Sequence, residues 1–172
     1  MGTDRVRKSR VAGLLVTAVS LSVDQLAKWF VASPLALQHR EIIEVLPIFS
    51  LRWEENRGVS MSLFEADGAL GRWALLAATG AIAATVAVWL WRDRNWLNAM
   101  ASGLILGGAL GNITDRLRLG YVVDFLDLHF GEWHPFSIFN TADCMISIGV
   151  VILLLRAWLH RETESGAQPH PS

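Results

Sequence analysis

Four long hydrophobic stretches constrain the fold of this chain more than any other feature of its sequence. They run approximately over residues 11–31, 73–91, 97–113 and 136–155. Each is close to the roughly 20 residues that an α-helix needs to cross a hydrocarbon core about 30 Å thick. Hydrophobic residues make up 52% of the 172-residue chain and charged residues 18%, a balance typical of a membrane protein. We therefore predict an all-α membrane protein with four transmembrane helices in a single domain, residues 1–172.

The first stretch has some features of a cleavable signal peptide, because basic residues precede it. Asp24, Gln25 and Lys28 interrupt its apolar run, however, and Pro34 spoils the nearest small-residue cleavage site. We therefore expect a permanent helix here.

Basic residues indicate the orientation of the four spans. They lie in the N-terminal tail (Arg5, Arg7, Lys8, Arg10), in the 91–95 turn and near the C-terminus (Arg156, Arg161). The positive-inside rule places these segments, and both termini, in the cytoplasm. The 33–71 and 114–135 segments then face outward, and they carry most of the acidic residues.

Two further segments have recognisable local character. Residues 41–53 mix β-branched and aromatic residues with charges before the breaker sequence at 56–58, which favours a small extracytoplasmic β element at the outer membrane surface. Residues 162–172 are polar, and we expect a disordered tail.

Charge and cysteine content exclude several classes of protein. The formal net charge is −1, which gives no indication of a nucleic-acid partner. Cys144 is the single cysteine, so neither a disulfide framework within the chain nor a cysteine-based zinc cluster is possible.

Polar residues near the outer ends of the spans are costly at membrane depth and need an explanation. Asp24 and Lys28 lie four residues apart on one face of helix one and can pair, as a structural ion pair or in catalysis. Asn112 and Arg116 are similarly one turn apart at the end of helix three, where Asp115 is expected to project elsewhere.

Two further acidic residues follow. Asp124 lies inside the apolar segment 121–125, where burial would raise its pKa. Asn140 and Asp143 share a face about one turn inside helix four, where each could instead serve as a helix cap. The loop between helices three and four allows Asp124 to approach Asp143. Two carboxylates sharing one proton can activate water and protonate a carbonyl, which is the chemistry of an aspartyl peptidase.

Several linked motifs resemble those of lipoprotein signal peptidases, also called signal peptidase II. They are GGALGNITDR at 107–116, GYVVDF at 120–125, FNTAD at 139–143, DQLAK at 24–28, ENRG at 55–58 and SLF at 62–64. The likeness runs in order from helix one to helix four.

The resemblance implies an enzyme of the bacterial inner membrane that removes the signal peptide of a prolipoprotein. It would cut before a cysteine carrying diacylglycerol, in contact with membrane lipid, without a metal or other cofactor, and would be inhibited by the cyclic peptide globomycin. Asp124 and Asp143 match the catalytic aspartates. The resemblance also gives binding or supporting roles to a further set of residues, Asn56, Gly58, Asn112, Arg116, Asn140, Asp24 and Lys28.

The sequence departs from the family pattern at a few positions, none of which removes a carboxylate. Arg57 and Met61 stand where a small hydroxyl residue and an aromatic residue are expected. Thr114 and Cys144 replace an aliphatic residue and a serine. We expect these departures to bear on loop behaviour or substrate preference.

Three other classes of protein fit the sequence less well. A rhomboid-like serine protease needs a membrane-embedded serine in a glycine-rich setting with a histidine on another helix, and His129 and His134 instead lie in an outer loop beside Ser137. A metalloprotease motif of the His-Glu-x-x-His type is absent from the sequence. A carrier would place its polar residues near the midplane and often shows repeats.

Overall fold

The computed structural model describes residues 2–58 and 69–165. Within these residues, four helices and three strands follow one another. They are α1 (Gly2–Ala32), β1 (Ile43–Leu46), β2 (Phe49–Asn56), α2 (Ala69–Arg92), α3 (Trp96–Arg118), β3 (Val122–Leu128) and α4 (Thr141–Ser165), with a short 3₁₀ turn at Leu37–His39 between α1 and β1.

Three of the helices, α1, α2 and α4, are long and apolar enough to cross a membrane, judged by length and composition over the described residues. α3 is also a long helix, but its hydropathy does not meet the same criterion. Its glycines and asparagines lower its hydropathy, even though many of its side chains are buried against the other helices. The described part of the chain therefore has four helices, and the expected fourth membrane span stays a prediction.

Small residues allow α3 to pack closely on both sides. A Cβ atom added at Gly107 would lie 2.5 Å from Cβ of Ser20 on α1, and one at Gly108 would lie 2.6 Å from the carbonyl oxygen of Ala142 on α4. Such distances exclude any side chain at these positions. Small residues thus permit close helix packing on α3, whereas an added Cβ at Gly80 on α2 would meet nothing within 4 Å.

The strands form one antiparallel sheet in the order β1-β2-β3. The β element expected over residues 41–53 is present and continues to Asn56. The third strand, β3, was not expected as a strand. It pairs with β2 so that Asp124 lies opposite Glu54 and Asp127 opposite Ser50. The sheet thereby fixes the position of Asp124.

The helix-four segment differs from the sequence expectation at both ends. The helix begins at Thr141 rather than near residue 136, because Phe139 forms an isolated bridge with Leu126 and extends the chain up to the helix. At the other end α4 continues to Ser165, so residues 162–165 of the expected disordered tail are helical. Arginine and glutamate, which are good helix formers, account for the continuation. Residues 166–172 lie outside the described part of the chain.

Candidate active site

Asp124 lies at the centre of a buried polar cluster. It sits on β3 and is 2% exposed. Its Oδ1 accepts a hydrogen bond from Nδ2 of Asn140 at 2.6 Å, and its Oδ2 accepts one from Nδ2 of Asn56 at 2.9 Å. Two amides from distant parts of the chain thus hold one carboxyl group.

The surroundings of Asp124 raise its pKa to about 6. Burial is the largest cause, and the nearby charge of Asp143 acts in the same direction. The hydrogen bonds from Asn56 and Asn140 and the charge of Lys28 oppose the rise. The expected upward direction is confirmed, and it reflects removal of the carboxyl group from water.

Asp143 occupies the first turn of α4 and forms a reciprocal cap with Asn140. Its Oδ2 accepts from the backbone N–H of Asn140 at 3.1 Å, and Oδ1 of Asn140 accepts from the backbone N–H of Asp143 at 3.1 Å. This arrangement is a capping box. The capping role considered from the sequence is therefore real for both residues.

The capping residues are also connected to Asp124. Nδ2 of Asn140 donates to Asp124 and also to Oδ1 of Asn112, the latter at 3.2 Å. Nδ2 of Asn112 in turn donates to Oδ1 of Asp143 at 3.0 Å. The pair of asparagines from α3 and from the start of α4 bridges the two aspartates.

Lys28 is buried between two carboxylates behind this bridge. Its Nζ lies 2.9 Å from Oδ2 of Asp24 and 2.8 Å from Oδ2 of Asp115, and it donates to Oδ1 of Asn112 at 2.9 Å. The pairing of Asp24 with Lys28 is confirmed. Because Lys28 also orients Asn112, the ion pair supports the site rather than standing apart from it.

Asp24 fastens α1 to the beginning of α4. Its Oδ1 accepts from Oγ1 of Thr141 at 2.8 Å and from the backbone N–H of Ala142 at 3.0 Å. A side chain at Gly111 would collide with Asp24. Glycine at this position of α3 therefore makes room for the buried acid.

The expectation that Asp115 projects elsewhere is wrong. Asp115 is 4% exposed, pairs with Lys28 and accepts hydrogen bonds from Gln25 at 3.0 Å and from the backbone N–H of Val123 at 3.3 Å. The sequence feature that indicates an inward position for Asp115 is its spacing of one turn from Gly111, which places both residues on one face of α3. Gln25 and Thr141 were also missed as members of the cluster.

Arg116 and Gly58 lie together at the edge of the cluster. Nη2 of Arg116 is 3.9 Å from where a Cβ of Gly58 would be, and its Nε is buried without a hydrogen-bond partner among the described residues. The charges of Asp124, Asp143 and Asp115 all act on Arg116. The structure therefore places a cation beside both aspartates.

The segment that follows Asn56 turns sharply next to the site. Gly58 has φ +96°, a conformation that favours glycine, and its N–H donates to Oδ1 of Asn56 at 2.9 Å. Arg57 pairs with Glu55 at 2.9 Å. Met61 and the SLF motif at 62–64 lie outside the described residues.

The two remaining departures from the family pattern have clear positions. The hydroxyl of Thr114 donates a hydrogen bond to the carbonyl oxygen of Leu110 at 2.7 Å. Cys144 lines a cavity of about 450 Å³ that includes Asp143. The other lining residues are Phe136, Ser137, Phe139, Ser147 and Ile148. An apolar cavity thus opens directly beside one of the two aspartates.

Comparison with known proteins gives this arrangement a context. The family model described as "Signal peptidase (SPase) II" matches residues 16–159. The chain belongs to the signal peptidase II family. The lipoprotein signal peptidase of Rhizorhabdus wittichii is 51% identical over 92% of this chain and 92% of its own length. That of Sphingopyxis alaskensis is 49% identical over 93% of this chain and 92% of its own.

Solved structures support the same fold. One, described as a bacterial membrane enzyme, is 26% identical, covers 84% of this chain and 91% of its own, and has a TM-score of 0.74. Another with the same description has a TM-score of 0.74 at 24% identity, over 93% of this chain and 94% of its own. The signal peptidase II family assignment therefore agrees with a fold already observed in a membrane enzyme.

Proposed function

We propose that the protein is an aspartyl endopeptidase that removes signal peptides from prolipoproteins, with Asp124 and Asp143 as its catalytic pair. The observation that carries the proposal is the bridge between these two aspartates through Asn112 and Asn140. Membership of the signal peptidase II family and relatives named lipoprotein signal peptidases support the substrate class.

The two aspartates differ in surroundings, which suggests separate roles. Asp124 has a pKa raised to about 6 and is the better candidate to carry the shared proton. Asp143 accepts N–H groups on both oxygens and lies in the first turn of α4, where the helix dipole stabilises negative charge. In the proposed active state, which is populated at pH values below about 6, Asp124 carries the proton and Asp143 serves as the base.

Hydrolysis follows from this distribution of protons. A water molecule gives a proton to Asp143 as its oxygen attacks the carbonyl carbon, and Asp124 gives its proton to the carbonyl oxygen. When the tetrahedral intermediate collapses, the carbon–nitrogen bond breaks. Asp143 passes its proton to the leaving nitrogen, and the hydroxyl proton returns to Asp124. Both carboxyl groups end as they began.

The remaining polar residues have supporting roles in the proposal. Asn56 and Asn140 orient Asp124, Asn112 orients Asp143, and Lys28 with Asp24 holds Asn112 and the start of α4. Arg116 and Gly58, which lie together at the edge of the cluster, are proposed to contact the substrate.

The cavity beside Asp143 supports a lipid-modified substrate. Its lining is mainly apolar, and Phe136 and Ile148 are more than half exposed on the outside of the bundle. A diacylglyceryl group on the cysteine after the cut bond would reach such a cavity from the membrane without crossing water. Cleavage before that cysteine is part of the proposal.

The proposed setting is the bacterial inner membrane, with four spans, both termini in the cytoplasm and the aspartates at the outer leaflet. α3 is packed against three helices that each qualify as a span, which supports its being the fourth. Reporter fusions after Ser33 and Asp127 should report the outer compartment, and fusions at Arg94 and Ser165 the cytoplasm. A cytoplasmic signal from Asp127 would contradict this arrangement.

The direct experiment is cleavage of a synthetic prolipoprotein peptide by the purified protein. A peptide carrying diacylglyceryl-cysteine should be cut at the bond before that cysteine, and the same peptide without the lipid should be cut far more slowly. Globomycin should block the reaction, whereas EDTA should not. Equal rates on both peptides would contradict the proposed substrate class.

A further inference from the structure

A polar cavity lies at the end of the bundle opposite the aspartates, where α1 begins and α2 meets α3. Its volume is about 710 Å³. The residues lining it are Asp4, Arg5, Lys8, Ser9, Ala12, Arg94, Asn95 and Trp96. None of these residues belongs to the cluster around Asp124, so the cavity is separate from the proposed active site.

Ser9 provides an unusual feature of this cavity. It is 1% exposed, yet its Oγ has no hydrogen-bond partner among the described residues. Thr17 on the same helix shows the usual solution, because its hydroxyl donates to the carbonyl oxygen of Gly13 at 2.9 Å. A buried hydroxyl without a partner is costly. A ligand with acceptor oxygens would satisfy it.

The cations around the cavity are also available. Arg5, Lys8 and Arg94 form no ion pair or hydrogen bond within the described residues. The acidic residue of the lining, Asp4, lies 3.6 Å from Arg7 on an exposed surface. Three unneutralised cations around one buried hydroxyl favour an anion.

The surface next to the cavity indicates what kind of anion. The α1 face that carries Lys8 and Ala12 continues through Leu15 and Val19, which are 61% and 60% exposed. Trp96, at the rim, is 60% exposed. An apolar stripe beneath a basic cavity suits a molecule with a charged head and an alkyl chain rather than a free ion.

We propose that this cavity binds the phosphate group of an anionic phospholipid. The phosphate oxygens lie among Arg5, Lys8 and Arg94 and accept a hydrogen bond from the Ser9 hydroxyl. An acyl chain of the same lipid lies along Leu15 and Val19 of α1. Basic pockets between membrane helices are known to hold anionic headgroups. The bound lipid would tie the start of α1 to the α2–α3 turn.

Native mass spectrometry of the purified full chain in detergent tests this assignment. The protein is titrated with dilauroyl phosphatidylglycerol, with dilauroyl phosphatidylcholine and with inorganic phosphate. We expect adducts of the anionic lipid in clear excess over the other two probes. Arg94→Gln and Arg5→Gln should each weaken binding of the anionic lipid by roughly fivefold. Ser9→Ala should weaken it less, through loss of one hydrogen bond.

Matched variants separate the cavity from general surface charge. Arg40→Gln removes an exposed cation from the loop beyond α1 and should leave the adducts unchanged. Leu15→Gln should lower lipid binding while leaving the charges of the cavity intact. Equal adducts with the two lipids would overturn the proposal. So would binding of inorganic phosphate as strong as that of the anionic lipid, or unaltered lipid binding by Arg94→Gln.

Discussion

Asn140 donates its side-chain amide to Asp124 at 2.6 Å from the position that caps α4. A cap and a catalytic support are usually regarded as alternatives for such a residue. Here one side chain has the geometry for both, because its oxygen accepts from the backbone of α4 while its nitrogen donates to Asp124 on β3. The start of α4 is thereby fixed relative to the strand that carries Asp124.

Lys28 should be essential to the stability of the bundle. Replacing it with methionine leaves Asp24 and Asp115 buried without their cation, which should cost about 3–5 kcal/mol. Adding Asp115→Asn to Lys28→Met should recover part of this loss. Denaturant unfolding in detergent measures both variants, with exposed Arg40→Gln as a control. A loss below about 1 kcal/mol in Lys28→Met would contradict the role of the ion pair.

The stability of Asp124→Asn relative to wild type should rise with pH. The folded-state pKa of about 6 lies above the ordinary value of 3.8, so the stability associated with the protonated group is lost as pH rises through 6. The difference in free energy of unfolding between variant and wild type should be up to about 3 kcal/mol more favourable to the variant at pH 8 than at pH 4.

Thermal unfolding at the two pH values measures this difference. Glu132→Gln, which removes an exposed carboxyl group, should show no such dependence. A gap between Asp124→Asn and wild type that is the same at pH 4 and pH 8 would mean that Asp124 does not titrate as described.

Asn56→Ala should move the pH profile of catalysis. The proposed mechanism requires neutral Asp124, so kcat/KM of the wild type should fall as pH rises through about 6. The hydrogen bond from Asn56 lowers the pKa of Asp124, so its removal should shift this alkaline limb to higher pH. Arg52→Gln, at an exposed position of the same strand, serves as control. An unmoved limb, or a shift to lower pH, would count against the account.

Cys144 offers a selective probe of the cavity beside Asp143. It is the single cysteine of the chain, so a thiol reagent modifies one position. A bulky maleimide on Cys144 should fill the cavity and abolish cleavage, and a methyl disulfide should inhibit less. Cys144→Ser should remain active and resist both reagents. Full turnover by protein whose mass shows complete labelling would exclude the cavity from substrate binding.

Local spacing predicts much of the helical part of the site. The four-residue interval between Asp24 and Lys28 places them on one face, and the interval between Asn140 and Asp143 gives a cap. Each relationship lies within one helical segment. Such patterns are visible in sequence because a helix repeats its geometry every turn.

Relationships between distant elements were less accessible. The spacing of Asn112 and Arg116 predicts a polar face of α3 from which Asp115 points away, whereas Lys28 on α1 draws Asp115 inward. The strand β3 was missed because its pairing partner lies more than sixty residues earlier in the chain. Helix four begins late because Phe139 bonds to Leu126 of that strand. Tertiary pairing decides these features.

Asp124 and Asp143 are proposed to act as one catalytic unit. Cleavage of a diacylglyceryl-modified prolipoprotein peptide should be measured for Asp124→Asn, Asp143→Asn and the double variant, with Asp127→Asn as a control for a buried acid on the same strand. We expect each single variant to remain folded and to lose roughly 10⁴-fold in kcat, with the double variant scarcely worse. Asp127→Asn should keep most of its activity. Near-normal turnover by either Asp124→Asn or Asp143→Asn would show that the two residues are not a catalytic pair.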